Sequence, residues 1–162
     1  MLVERFRRWL VYEGEMHAKT IASLESVPHS RRASGEFQRA LAILGHLTAA
    51  RRVWLYRLGV APTPPESLFP SEVHLSELVS DWESAESSWR GYLETLTDED
   101  LAKVFEYQSL DAGRFRNTIE DVLTQLFTHG AYHRGQIAML VKAAGGQPAV
   151  TDYIYWRREA IP

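Results

Sequence analysis

Four separate stretches of the chain repeat apolar residues every three or four positions, which is the spacing of one face of an α-helix. They cover about residues 6–24, 34–58, 75–96 and 119–141. Each stretch is long enough for a helix of roughly 20–25 residues, and no internal repeat links them. The pattern predicts an all-α fold, a four-helix bundle in which residues 1–162 form one domain.

Local residues predict where these helices end. Pro28 would stop the first helix, and Gly59 would end the second. Asn117 and Glu120 have the spacing of a capping box at the start of the fourth helix, and the glycine pair at 145–146 would close it.

The connections add three features to the bundle. Residues 61–65 read APTPP, a stiff segment that must cross a surface, so helices two and three need not be antiparallel hairpin neighbours, and we expect at least one long crossover in the bundle. Residues 101–116 are predicted to form a short irregular hairpin that turns at 111–113 (DAG) before the last long helix. The tail carries YIYW at 153–156 and is too aromatic to be loose, so it should pack back on the bundle.

The composition excludes several classes of function. The chain has no cysteine, which rules out disulfides, iron–sulfur clusters and thiol nucleophiles and fits the reducing cytoplasm, where we expect the protein. The formal net charge is −3 and the arginines occur in short pairs, so we expect no nucleic-acid partner. No apolar run could span a bilayer and no signal-peptide pattern opens the chain, so we expect no membrane partner either.

Two of the six histidines, His129 and His133, lie one turn apart on the same face of the fourth predicted helix. This spacing allows two imidazoles to reach one divalent ion, although the glutamate of the zinc-protease motif is missing between them. Gln125 and Gln136 extend the same polar stripe beside the apolar one. The stripe therefore predicts an internal site at the edge of the core.

His46 is the candidate third ligand. It lies among apolar residues of the second helix, where a histidine can also be an ordinary core residue with a hydrogen-bond partner. If the second and fourth helices are neighbours, its simplest partner is an ion shared with His129 and His133. Such a site keeps open positions, which is typical of catalysis or ligand binding, and imidazoles suit zinc, nickel, copper or iron(II). His17 faces inward from the first helix. Like Gln125 and Gln136, it could be a fourth metal ligand or could donate a hydrogen bond to one of the ligands. His17 could also simply pack in the core.

Several segments resemble proteins of the DinB family. Residues 45–50 (GHLTAA), followed by 54–58 (WLYRL), are similar to the central segment of these proteins. Residues 128–136 (THGAYHRGQ) resemble their C-terminal signature, in which a histidine stands four positions before His-Arg-Gly-Gln. The ending at 145–148 (GGQP) and 151–153 (TDY) is similar too. The likeness covers nearly the whole chain in order and spacing.

The resemblance implies a damage-inducible four-helix metalloprotein with a long crossover, often dimeric and unrelated to the DNA polymerase of the same name. It implies a metal triad at His46, His129 and His133. Relatives include S-transferases that use low-molecular-weight thiols and a thiol-dependent isomerase, while many members have no assigned activity. Two departures concern the site: Arg51 stands where relatives often have an acidic residue, and His17 where they often have asparagine.

These observations lead to one main hypothesis and two alternatives. The main hypothesis is an enzyme in which a divalent ion (zinc, nickel or iron) activates a low-molecular-weight thiol for transfer to a small electrophile. The first alternative is a metal-dependent hydrolase, for which no carboxylate stands out as the general base. The second is a non-enzymatic stress protein that binds a metal or a small ligand.

Three further residues are candidates for contact with a small-molecule substrate: Tyr132, Arg134 and Trp156. Arg134 follows a ligand directly and could hold an acidic group, or it could form a salt bridge to Asp152 in the tail. We also expect a homodimer, because relatives of this kind are often dimeric.

Overall fold

The computed structural model describes residues 1–71, 73–109 and 112–161, and it is dominated by four long helices. The all-α prediction is therefore confirmed. A single 3-10 turn at His29–Arg31 follows the first helix. The helices in chain order are α1 (Leu2–Glu25), α2 (Gly35–Arg57), α3 (Leu75–Thr95), α4 (Asp98–Leu101), α5 (Ile119–Ala143) and α6 (Tyr153–Arg157).

The four long helices pack in a ring. Helix α2 packs against both α3 and α5, and α1 packs against the same two helices. Helices α1 and α2 therefore occupy opposite corners of the bundle, although they follow each other in the chain. The arrangement makes α2 and α5 neighbours, which is the condition for His46 to meet the two histidines of α5.

The ends of α5 follow known capping rules, with one correction to the sequence-based prediction. The capping box is formed by Thr118 and Asp121, not by Asn117 and Glu120: the Thr118 hydroxyl accepts the Asp121 amide at 3.1 Å. The prediction was one residue early, because the preceding strand runs through Thr118 and α5 begins only at Ile119, which makes Thr118 the N-cap residue. At the other end Gly145 has φ +85, and the Gly146 amide donates to the carbonyl of Val141 at 2.9 Å, as in a Schellman motif.

A two-stranded antiparallel sheet precedes α5, as predicted. Strands β1 (Val104–Gln108) and β2 (Arg114–Thr118) pair so that Val104 lies opposite Thr118 and Gln108 lies opposite Arg114. Residues 110 and 111, which include the first residue of the predicted turn, lie outside the described residues. Ala112 has φ +66, so this turn places a left-handed residue at an alanine.

The C-terminal tail packs on α1, which confirms that prediction. The ring of Tyr12 makes edge contacts with Tyr153 at 5.2 Å and with Trp156 at 5.6 Å between centroids. The indole nitrogen of Trp156 donates to a Glu15 carboxylate oxygen at 2.8 Å. Within the part of the chain that the structure describes, no helix has both the length and the apolar content that a bilayer crossing needs.

The core consists of two apolar clusters with a polar layer between them. One cluster surrounds Phe6, Trp89 and Leu123, and the other surrounds Leu44 and Ile137. Along each helix the residues between the two clusters include buried polar or aromatic side chains. The polar layer is made of Glu13, His17, Arg51 and Arg134, with Trp82 beside them.

Candidate metal centre

Three imidazoles meet between α2 and α5. His46 comes from α2, and His129 and His133 come from successive turns of α5. The Nε2 atom of His129 lies 3.2 Å from Nε2 of His46 and 3.0 Å from Nε2 of His133. All three ligand atoms lie within 4.8 Å of one another, and all three residues are partly buried. The group could therefore hold a divalent metal ion.

Two of these rings are fixed in orientation by their other nitrogen. Nδ1 of His46 lies 2.9 Å from the carbonyl oxygen of Leu68, and Nδ1 of His133 lies 2.7 Å from Oε1 of Gln136. A carbonyl oxygen only accepts, so each Nδ1 carries the proton and each Nε2 presents a lone pair to the centre. Metal-binding histidines are commonly held by such contacts to the outer nitrogen.

The donor set fits a divalent transition-metal ion. An ion with nitrogen ligands at about 2.0–2.1 Å places neighbouring nitrogens roughly 2.9–3.4 Å apart, for octahedral to tetrahedral angles. The separations of 3.0 and 3.2 Å fall within that range. Nε2 of His46 and Nε2 of His133 both face Nε2 of His129, so at least one of these two contacts brings two lone pairs together unless a cation or an additional proton lies between them.

The environment of His129 and His133 also favours the neutral form of the imidazole, which is the form that binds metal. Burial, with smaller effects from His133 and His46, lowers the pKa of His129 to about 4. Burial likewise lowers the pKa of His133, against a raising effect of the hydrogen bond to Gln136. His129 is therefore neutral at neutral pH, which is the charge state in which histidine binds an ion.

Aromatic rings flank the group on two sides. The ring of Phe69 stacks on His46 at 4.6 Å with an interplanar angle of 2°. Tyr132 contacts the edge of His133 at 5.0 Å and is otherwise exposed. Phe69 follows Leu68 in the connection between α2 and α3, so this connection forms one wall of the site.

A cavity of about 160 Å³ opens beside the histidines. Two of the three imidazoles reach it, and the sequence-predicted Gln125 lies in its wall. Among the described residues, its lining contains no carboxylate. The lining residues are His46, Ala50, Val53, Trp54, Arg57, Leu68, Gln125, Leu126 and His129.

The structure does not bring His17 into the group of three histidines. Its ring stacks on Trp82 with centroids 3.7 Å apart, and it lies in the polar layer of the core. Burial, aided by the charges of Arg51 and Arg134, lowers the pKa of His17 to about 3. Of the three roles considered for His17, its position supports core packing, and its Nε2 has no hydrogen-bond partner among the described residues.

The three candidate substrate contacts lie in different places. Tyr132 is beside the site, whereas Trp156 contacts α1 through Glu15. Arg134 is buried and donates to a Glu13 oxygen at 2.6 Å, so its ion pair is with Glu13 instead of Asp152. A buried and paired Arg134 is not available to hold a substrate.

A buried ionic network that was not predicted from the sequence joins α1, α2 and α5. Glu13 accepts from both Arg51 and Arg134, and all three side chains are almost fully buried. The guanidinium of Arg51 also lies 4.6 Å from the centre of the Trp82 ring. Glu13 already occupied an inward position of the first helical stripe, which was the signal that it is buried. Arg51, which departs from the family pattern, thus shares the counter-ion Glu13 with Arg134.

Comparisons with known proteins point to one family. The model of the DinB family matches residues 2–161. A segment of 55 residues is 36% identical to "Protein DinB" of Bacillus subtilis (strain 168), and it covers 34% of this chain and 32% of that relative. No solved structure shows a significant match. The family match over residues 2–161 shows that the chain belongs to the DinB family.

Proposed function

We propose that His46, His129 and His133 bind one divalent ion, and that the protein uses it to transfer a low-molecular-weight thiol to a small electrophile. The observation that carries the proposal is the convergence of three Nε2 atoms, two of them on rings whose Nδ1 is held by a carbonyl oxygen. Membership of the DinB family supports it. The ion would be zinc, nickel or iron, since imidazole suits all three.

Each residue around the site has a definite part in this proposal. A bound ion with an open position would lower the pKa of a thiol and so supply a nucleophile at neutral pH. The Leu68 carbonyl and the Gln136 amide hold the imidazoles of His46 and His133 in the binding tautomer. The apolar side chains of the adjacent cavity limit the access of water to the reacting groups, and Gln125 offers a hydrogen bond there.

The lack of a nearby carboxylate favours the thiol over a water nucleophile. Among the described residues, neither the cavity lining nor the histidine group contains Asp or Glu. A hydrolase of this type usually needs a general base to take a proton from water. A thiol needs less help, because its pKa is already nearer to neutral.

Metal analysis tests the ligand assignment. Untagged wild-type protein should bind one equivalent of ion, and His46→Ala should lose that binding while keeping its helical circular dichroism spectrum. His29→Ala is the matched control, because His29 is exposed in the 3-10 turn. Full metal content in His46→Ala would refute the assignment.

Activity assays then separate the three functions. The ion-loaded protein is incubated with 1-chloro-2,4-dinitrobenzene and a thiol, and the expected product is the aryl thioether, with release of chloride and a proton. Hydrolysis of an ester panel without thiol would instead support the hydrolase. Tight binding of one ion without turnover in either assay would support the non-enzymatic stress protein.

We also propose that the protein is a homodimer. The exposed side chains of Tyr132 and Met139 lie on α5 and provide apolar surface for a second copy. Sedimentation equilibrium should give twice the monomer mass, and the monomer mass at micromolar concentration would refute the dimer.

The single domain and the cytoplasmic location stay predictions.

A further inference from the structure

We propose that Arg57 binds the carboxylate of the small molecule that reacts at the three histidines. This inference rests on the proposed function and names the class of ligand, which is a short acid whose other end reaches His46 and His129.

The cavity joins the histidines to Arg57. His46 and His129 line it together with Arg57, and its volume is about 160 Å³. At about 30 Å³ for each water molecule, this space is equivalent to about five waters, which is enough for an acid of a few heavy atoms. Its apolar wall strengthens charge interactions inside it, because the local dielectric is lower than in bulk water. The apolar residues of this wall are Ala50, Val53, Leu68 and Leu126.

Two aromatic rings hold the guanidinium of Arg57. Its central carbon lies 4.7 Å from the centroid of Trp54 and 4.7 Å from the centroid of Tyr107. The two rings also contact each other at 5.1 Å, so they form a rigid support. A guanidinium placed against aromatic faces keeps its N–H groups free at the edge, where they can form a bidentate pair with a carboxylate.

Arg57 has no anionic partner in the described part of the chain. Its guanidinium forms no hydrogen bond and no ion pair with residues 1–71, 73–109 or 112–161. Other arginines of the same region are paired: Arg51 with Glu13, and Arg52 with Asp81 at 3.7 Å. Burial lowers the pKa of Arg57, as expected for a cation partly removed from water without a counter-ion. The wall of the cavity carries no negative charge in the described residues, so an incoming carboxylate would meet only a positive one.

A purely structural role for Arg57 makes a different prediction. Arg57 lies in the last turn of α2, where a cation stabilises the negative end of the helix dipole. If that were its function, replacing it would lower the melting temperature and leave ligand selectivity unchanged. The experiment therefore measures selectivity and stability together.

The main test compares two thiols on the cobalt(II)-loaded protein. 3-Mercaptopropionate carries a carboxylate, and 2-mercaptoethanol does not. Their dissociation constants come from the sulfur-to-cobalt charge-transfer absorption. At low ionic strength the wild type should bind 3-mercaptopropionate at least about 10-fold more tightly, as expected for charge-assisted hydrogen bonds. Arg57→Gln should reduce the preference to about one, and Arg57→Lys should keep part of it.

Arg52→Gln is the matched control, because it removes the same charge from the same helix but lies at a different cavity, beside Asp81. It should keep the wild-type preference. If Arg57→Gln fails to fold, the thiol preference of Arg57→Lys and the NMR titration described next still test the proposal. Equal binding of both thiols to the wild type, or an unchanged preference in Arg57→Gln, would overturn the proposal.

A second measurement needs neither thiol nor metal. Propionate is titrated into metal-free protein while the Nε–H resonance of Arg57 is followed by NMR, and a saturable shift is expected. A shift with propionate but no cobalt–sulfur absorption with any thiol would support the carboxylate site and refute thiol transfer. Cobalt–sulfur absorption with no role for Arg57 would support the metal–thiol site and refute the carboxylate site.

Discussion

Removing the carboxylate of Glu13 should destabilise the protein more than removing one of the arginines that it binds. Glu13 is 0% exposed, Arg51 3% and Arg134 4%, so the three charges share one dry layer of the core. A single carboxylate serves two guanidinium groups there. Glu13→Gln leaves both guanidiniums without a counter-ion, whereas Arg51→Met leaves the pair of Glu13 and Arg134 in place.

The expected magnitudes follow from this asymmetry. Breaking a buried ion pair by removing one partner costs about 3–5 kcal/mol, and we expect Glu13→Gln to reach this range because it leaves two charges uncompensated. Arg51→Met removes a buried charge together with its contact to Trp82, so its cost should stay at about 1–2 kcal/mol, the size of a desolvated cation–π contact. The cost expected for Glu13→Gln is a large part of the unfolding free energy of a single domain, which is typically about 5–15 kcal/mol.

Urea unfolding followed by far-UV circular dichroism at pH 7.5, on metal-free protein, measures both variants. Glu15→Gln is the control, since Glu15 lies two residues away on the exposed side of α1 and the amide oxygen of Gln can still accept from Trp156, so stability should change by about 0.5 kcal/mol or less. If Arg51→Met lowers the unfolding free energy as much as Glu13→Gln does, then the shared carboxylate of Glu13 is not what balances the two guanidinium groups.

Three further predictions concern the core and the site. The pKa of His17 is about 3 in the folded state and 6.5 in the unfolded state, so only the unfolded chain takes up this proton as pH falls below 6.5. The unfolding free energy of wild type relative to His17→Phe should therefore fall by about 1.4 kcal/mol per pH unit between pH 6 and 4 in urea titrations, and a constant difference would contradict this. Gly130→Ala places a Cβ 2.6 Å from Glu13 Oε2 and should cost about 1–3 kcal/mol in thermal unfolding, whereas Gly135→Ala meets no atom within 4 Å and should be neutral or stabilising. Gln136→Ala should weaken zinc binding about 10- to 100-fold in competition with a chromogenic chelator, and unchanged affinity would refute its role in orienting His133.

The sequence was most informative where a feature depends on one element alone. The apolar spacing of residues 119–141 predicts α5 to within two residues, and the i, i+4 spacing places His129 and His133 on one face without knowledge of any other helix. The meeting of His46 with this pair depends on α2 and α5 being neighbours. The residue pattern left that as a condition, and the resemblance to the DinB family supplied it.

Features that depend on tertiary packing could not be predicted in the same way. Glu13 lies 38 positions from Arg51 and 121 positions from Arg134, and only the packing of three helices selects these partners. The carbonyl of Leu68 is a backbone atom, so no residue type signals its role. The capping box was misplaced by one residue because both Asn117 and Thr118 pair with β1, so the strand continues to the residue before α5, which local spacing does not reveal.

The contact between the Leu68 carbonyl and Nδ1 of His46 gives the segment between α2 and α3 a role beyond that of a spacer, because it orients the imidazole of a candidate metal ligand. Exchange of residues 60–72 for a glycine–serine tether of equal length would keep every imidazole and all four long helices, yet it would free the ring of His46 to rotate. If an ion binds, its binding and the conformation of this segment are thermodynamically linked, so we expect a stiffer segment to bind the ion more tightly and a bound ion to slow proteolytic cleavage of the segment.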